Sequence, residues 1–286
     1  MYASIGENMR EYIPNQLVGI LARNEPLALA YSGGLDSRFL AYVCKICQID
    51  VLLMLGTGYN FSQTDTMAAK EWAEKEKLKL VEIDLDPFRI KAIRMNKRDR
   101  CYHCKREIFK RIQKTLQKMG QDQRVICDGT NYDDLKIFRP GQKAINDLNI
   151  LTPLAQSLLS KNDIRRIGAE IGLSDIKQKP SPCLLTRVAY NLLPQKADLN
   201  KIDRCENELK EFFKTNLPEN ADLPDLRLRL TPEPLLQITD LPGNLRSKVR
   251  QIITEYGFTP CQLLIEENVS GFFDKIREDP APLPLL

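Results

Sequence analysis

The residues suited to chemistry lie in four short stretches. They are Ser32-Gly33-Gly34-Leu35-Asp36-Ser37, Arg100-Cys101-Tyr102-His103-Cys104-Lys105, Asp128-Gly129-Thr130-Asn131-Tyr132-Asp133-Asp134-Leu135 followed by Arg139-Pro140-Gly141, and Lys179-Pro180-Ser181-Pro182-Cys183-Leu184-Leu185-Thr186-Arg187. In the first, Gly33 and Gly34 put no Cβ in the way of an approaching anion. Ser32 and Ser37 add hydroxyl donors, and Asp36 is a carboxylate that could hold Mg²⁺ beside a phosphate. The second is a C-x-x-C at a helix start, where neighbouring Arg and Lys favour thiolate for metal binding or reactivity. The third offers backbone donors, two acids and Arg139, although D-G-T-N is also an ordinary turn composition. In the fourth, prolines on both sides of Ser181 hold the chain extended before Cys183, with Arg187 four residues on. That makes Cys183 a candidate nucleophile, and a structural cysteine fits the same pattern equally. A second C-x-x-C, Cys44 and Cys47, falls inside a helix and reads as core, as does Cys127, while Cys205 and Cys261 show no pattern. His103 is the one histidine of the chain, which excludes a His-based triad and a multi-histidine metal site.

These residues need elements to position them. Leu27–Tyr31 is a short apolar run that predicts a buried strand. After the glycines, Leu35, Phe39, Leu40, Val43 and Ile46 recur at helical spacing. Strand, glycine turn and helix leave free N–H groups at a helix N-terminus, which is an anion site. No lysine follows the glycines, so the Walker pattern fails. S-G-G-x-D-S instead resembles the pyrophosphate loop of the N-type ATP pyrophosphatases. That resemblance implies ATP binding, adenylylation of a substrate oxygen and release of pyrophosphate.

Along the chain, a leading helix is expected over Asn8–Arg23, interrupted or begun near Pro14. Strands are expected at Asp50–Leu55, Leu80–Ile83 and Arg124–Cys127, and helices from Ser62 to about Lys77, over Tyr102–Met119 and over Lys161–Ile171. Alternating strands and helices predict an α/β fold with a doubly wound parallel sheet. Ligands of such sheets bind at the carboxyl ends of the strands, where Ser32, Gly56-Thr57 and Asp128-Gly129-Thr130 all fall. Beyond Arg187 the expectation is a connection over 189–199, a helix over Lys201–Lys214, strands at Leu226–Leu230, Leu235–Ile238 and Gln262–Ile265, and a helix over Asn244–Tyr256. This divides the chain into a first domain over 1–188 and a smaller α+β domain over 189–286, whose Pro-rich end from Glu278 reads as a loose tail.

At 286 residues, 43% hydrophobic, the chain can bury a sizeable core. The net charge of +4 says little about partners, but the stretch 86–118 carries twelve Lys/Arg against three Asp/Glu. Such a stripe suits a polyanion such as tRNA, a small phosphorylated substrate, or plain solvation. There is no signal pattern at Met1–Arg10 and no run long enough to cross a bilayer, so no membrane and a cytoplasmic location with reduced thiols are expected.

Taken together and in this order, R-C-Y-x-C-K, D-G-T-N-x-D-D, R-P-G and S-P-C-L-x-T-R after S-G-G-L-D-S resemble the LarE family, from Leu27 to Arg187. These are ATP-dependent sulfur transferases of nickel-pincer cofactor synthesis, whose substrate is a pyridinium mononucleotide bearing carboxylates. The resemblance implies that Ser32, Gly33, Gly34, Asp36, Ser37, Thr57, Gly129 and Thr130 bind ATP and Mg²⁺. It implies that Asn131, Asp134, Arg139 and Arg187 meet the substrate, with Cys183, Asp36 and Arg187 catalytic. Cys101, Cys104 and Cys183 would hold a 4Fe–4S cluster, as in the three-cysteine variant of the family; in the other variant a lone cysteine gives up its own sulfur. Zinc on the same cysteines is a further alternative, as are a tRNA-thiolating enzyme and a non-catalytic ATP sensor. A homo-oligomer is expected. The family commonly continues with Pro-Tyr-Gly where Ala189-Tyr190-Asn191 follows here, which leaves the acceptor open.

Overall fold

The computed structural model describes residues 9–136 and 140–274. Arg139 and the proline-rich end from Glu278 lie outside the described residues. The chain divides into two compact units, one over 1–93 and 98–181, the other over Arg94–Lys97 and 182–286. The division thus falls after Ser181, whereas the sequence expectation put it after 188.

In the first unit the strands β1 (Leu27–Tyr31), β2 (Val51–Thr57), β3 (Leu80–Asp84) and β4 (Val125–Asp128) form a parallel sheet in the order β3-β2-β1-β4. Leu27 pairs with Val51 on one side and Val125 on the other. The longer helices of this unit are α1 (Asn15–Arg23), α2 (Leu35–Ile46), α3 (Gln63–Lys75), α4 (Arg100–Lys118), α5 (Pro140–Asp147) and α6 (Lys161–Glu170). Because successive strand residues face opposite ways, β1 gives Leu27, Leu29 and Tyr31 to the core under α1, α2 and α6. Ala28, with Leu52 and Met54 of β2, goes to the core against Phe109, Ile112 and Leu116 of α4 and Ile145 of α5. Both faces are covered, which is why these strands read as continuous apolar runs rather than alternating ones.

The first strands run 1, 2, 3 in one direction and β4 lies on the other side of β1, so the order switches between β1 and β4. The crevice outside their carboxyl ends is where such sheets bind ligands. Ser62 caps α3 by accepting from the Asp65 N–H, and Ser160 and Asp163 form a reciprocal capping box at α6. Two expectations change. Helix α4 begins at Arg100, so both cysteines of the C-x-x-C lie inside it. Pro140-Gly141, for which no helix was expected, starts α5, with proline at a first helical position where its missing N–H costs nothing.

The second unit holds β5 (Leu226–Leu230), β6 (Pro234–Ile238) and β7 (Gln262–Ile265), with β5 antiparallel and β7 parallel to the central β6. Helices α7 (Lys196–Asn216) and α8 (Arg246–Glu255) accompany this small mixed sheet. Helix α7 starts at Lys196 rather than Lys201, taking in residues expected to be a connection.

Candidate active site

The loop between β1 and α2 is shaped by its glycines. Gly33 sits at φ +73°, and a Cβ there would stand 2.5 Å from the Cβ of Ala69 on α3. Ser37 Oγ donates to the Gly34 carbonyl at 3.0 Å and accepts from the Ser32 N–H at 3.3 Å. The Gly34 N–H donates to Ser32 Oγ at 3.3 Å. No side chain caps α2 at Gly34, so the first amides of a twelve-residue helix face outward with the positive end of its dipole. Gly129 closes the crevice from the other side. A Cβ there would lie 3.0 Å from the Ser37 nitrogen and 3.3 Å from the Asp36 carbonyl carbon, so only glycine lets the end of β4 rest against the start of α2.

Charged groups converge on this junction. The Lys161 ammonium, from the first residue of α6, donates to both oxygens of Asp36 at 2.7 Å. The Lys161 N–H donates to Asp133 at 2.9 Å, and that bond, with the Lys136 ammonium, holds the Asp133 carboxyl below its ordinary range. Lys105 of α4 donates to the buried Asp128 at 2.9 Å, and Asp128 also accepts from the Thr130 N–H and hydroxyl, both at 3.0 Å. Asn131 Oδ1 accepts from the N–H groups of Asp133 and Asp134, and Asp134 accepts in return from the Asn131 N–H. Asn131 and Asp134 therefore shape the turn through each other. Thr57 ends β2 on the same sheet edge, its carbonyl accepting from Leu85.

Arg38 was invisible as a functional residue in the sequence. Buried on α2, it donates to the carbonyls of Ser174 and Asp175 and to Gln178 Oε1, all at 3.0 Å. Gln178 donates on to the Gly33 carbonyl at 3.3 Å, and Ser181 donates to Asp65 on α3. The segment leading toward Cys183 is thus fastened to the loop as far as Ser181.

Cys101 and Cys104 lie half-buried in the first turns of α4, three residues apart and so on one helix face. Gly141 of α5 faces the start of α4, where a Cβ would make ordinary contacts with Lys105 Cδ at 3.4 Å and the Cys101 carbonyl at 3.9 Å. The two thiols suit a soft metal centre and supply two ligands. Among the described residues no group of three or more His, Cys, Asp or Glu gathers to hold a metal ion. In the second unit, Cys183 precedes a short 3₁₀ turn over Leu184–Arg187, its carbonyl accepting from the Thr186 N–H at 2.9 Å and hydroxyl at 2.8 Å. Arg187, read in the sequence as a cation beside Cys183, is 1% exposed. Its guanidinium donates to both Glu206 oxygens, at 2.9 and 2.8 Å, and to the Pro182 carbonyl at 2.9 Å. Its partners are interior groups of its own unit, and through Pro182 it fixes the backbone next to Cys183. Burial pushes the thiols of Cys44, Cys127 and Cys205 up, and that of Cys261 to about 11, so these four are inert as nucleophiles at neutral pH.

No protein-family model matches the chain. It is 33% identical over 195 residues to the uncharacterized protein MJ0830 of Methanocaldococcus jannaschii, covering 67% of this chain and 72% of that one. It is 25% identical over 271 residues to the uncharacterized protein slr1717 of Synechocystis, covering 94% and 97%. Over 198 residues it is 22% identical to the pyridinium-3,5-bisthiocarboxylic acid mononucleotide synthase of Lactiplantibacillus plantarum, covering 68% and 71%. The chain belongs to one family with the M. jannaschii protein and is LarE-like at the level of distant homology.

Proposed function

We propose that the protein is an ATP-dependent sulfur transferase that activates a carboxylate of a pyridinium mononucleotide and replaces its oxygen with sulfur. The observation that carries this reading is the uncapped start of α2, closed in by Gly129 and joined to the Asp36–Lys161 pair at the switch point of the sheet. The L. plantarum relative, a pyridinium-3,5-bisthiocarboxylic acid mononucleotide synthase, supports the choice of acceptor.

The amides at the start of α2 and the Ser32 hydroxyl would bind the β- and γ-phosphates of ATP, which are anionic and leave as pyrophosphate. Asp36 would hold Mg²⁺ on those phosphates, and the ion would supply Lewis-acid charge to the departing group. Lys161, already on Asp36, keeps that carboxylate oriented and adds a cation where negative charge develops. The substrate carboxylate attacks the α-phosphorus, the bond to the bridging oxygen breaks, and an acyl-adenylate and pyrophosphate result. Attack by sulfide on the acyl carbon then expels AMP and leaves a thiocarboxylate. Cys101, Cys104 and Cys183 would hold a 4Fe–4S cluster, which would supply that sulfide. Lys105 and Asp128 shape the edge of the crevice one residue from Cys104, and Arg187 acts as a positioning residue for the Cys183 turn.

The test is product analysis with ATP, sulfide and a pyridinium mononucleotide carboxylate under anaerobic conditions. AMP and pyrophosphate in equal amounts, with sulfur in the acceptor, are expected. ADP and phosphate instead would overturn the assignment.

A further inference from the structure

We propose that the outer face of α4 is a docking surface for a single RNA strand, running from Arg106, one residue from Lys105 at the crevice, toward the amino end of β4. Arg106, Lys110, Lys114 and Lys118 recur every four residues along this helix, and all four are exposed. None of the four forms an ion pair among the described residues, whereas Arg111, which is less exposed, is paired with Glu107. Each step of four residues advances about 6 Å along the helix, so the row spans about 18 Å. Like charges at this spacing destabilise a helix, and none of the four is paired with an acid among the described residues. A row of this kind suits a partner that brings evenly spaced negative charge.

A groove of about 230 Å³ runs beside the row, and Lys110 belongs to both. Gln113, Gln117 and Asn149 line it, Leu148 and Ile150 give it an apolar wall, and Arg124 lies in it with its guanidinium paired to Asp50 at 2.9 Å. Its one carboxylate is Asp122. Side-chain amides both donate and accept, as base edges and the ribose 2′-hydroxyl require, and they stand beside the cations that would take the phosphates. A lipid surface would need an apolar face to bury, but the apolar face of α4, Phe109, Ile112 and Leu116, is already packed on the sheet. The groove reaches Val125 and Ile126 at the amino end of β4, whereas the candidate site uses the carboxyl end, so the inference does not depend on the sulfur-transfer reading.

The experiment measures binding of a fluorescent twelve-nucleotide oligouridylate to the whole protein by anisotropy, at 50 and 200 mM salt. With four phosphates neutralised, affinity should fall about 50-fold between the two, a log–log slope of about −2.8. Lys114→Ala with Lys118→Ala should halve that slope, and Gln113→Ala with Gln117→Ala should weaken the RNA more than the matching DNA oligomer. Circular dichroism checks that the exposed substitutions leave the fold intact. The proposal is overturned if the oligomer does not bind, if these variants bind like the parent, or if polyglutamate or phosphatidylserine vesicles bind as well as the RNA. AMP and pyrophosphate formation, measured on the same variants, should be unchanged, since none of these residues lies in the candidate active site.

Discussion

The ammonium of Lys161 lies 2.7 Å from both carboxylate oxygens of Asp36, joining residues 125 positions apart. Lys161 occupies the first position of α6, the end of a helix where the dipole disfavours a cation. A residue placed against that rule, and aimed at the only acid of the glycine loop, marks a site that serves something other than the helix.

Asp36→Asn should therefore lower pyrophosphate release by about two orders of magnitude or more, as loss of a catalytic metal contact does. Lys161→Ala should lower turnover and weaken MgATP binding together. Both side chains are about a quarter exposed, so the pair contributes at most about 1 kcal/mol to folding. Thermal melting of both variants near the parent value, with activity lost, is the expected combination. A variant that keeps its turnover would remove Asp36 and Lys161 from the mechanism.

Gly129→Ala tests the closure of the crevice. The new methyl would meet backbone atoms at 3.0 and 3.3 Å, which cannot rotate away, so the end of β4 must move off α2. Overpacking of this sort costs about 1–3 kcal/mol. Denaturant unfolding should show that loss, and nucleotide binding should weaken further than the stability change alone explains. Gly172→Ala, at a helix end where a Cβ would meet only Met9 Cε at 3.9 Å, should be destabilising through its φ of +74° but leave nucleotide binding intact.

How far the sequence shows this site depends on whether its signals are local. Strand β1, the glycine turn and α2 are legible because a buried run, two glycines and a helical period follow one another directly. Lys161 and Arg38 are not, since the first acts across 125 residues and the second clamps Ser174, Asp175 and Gln178 more than 135 residues on. The position of Lys161 at a helix start was the available signal. Arg187 misleads for the same reason: next to Cys183 it reads as a cation for a reaction, yet its partner Glu206 sits on the buried face of α7 with no local mark. Helix α5 was hidden because Pro140-Gly141 is also turn composition, with no local mark of a helix start.

The Arg187–Glu206 pair predicts a pH dependence of stability in the second unit. Burial by itself raises the Glu206 carboxyl, but Arg187 and Arg227 and the Leu228 N–H outweigh it and hold the group below the ordinary glutamate value of 4.5. A depressed folded-state value means that the unfolded chain takes up the proton first. The contribution is full above the ordinary value and is lost as pH falls below 4.5 through the lower folded-state value. Arg187→Ala leaves Glu206 buried without its partner and should cost about 3–5 kcal/mol. Urea unfolding followed from pH 7 to pH 3 should show the parent losing stability below about pH 4.5 and Arg187→Ala losing less over the same interval. An identical acid slope in both would mean that the pair is not what the pH senses.

The cysteines give the last prediction, because their environments already sort them. Cys44 and Cys127 are enclosed in the core beside α2 and β4, with thiols pushed far up by burial. Cys44→Ala should leave sulfur transfer nearly intact, at a cost in stability only. Cys101 and Cys104 share a helix face next to Lys105, which itself holds Asp128 at the crevice, so they stand where a sulfur centre could serve the activated carboxyl. If they and Cys183 hold a 4Fe–4S cluster, anaerobically purified protein should be brown, with about four irons per chain. Alanine at any one of the three should then abolish repeated turnover while leaving ATP binding unchanged. If Cys183 gives up its own sulfur, only Cys183→Ala should be fatal, and the spent protein should weigh about 34 Da less, one H₂S lost from a cysteine. Colourless protein with one zinc and no loss of mass would defeat both routes and make Cys101 and Cys104 structural ligands. Iron, sulfide and zinc analysis, with intact mass before and after turnover, separates the three outcomes in one preparation.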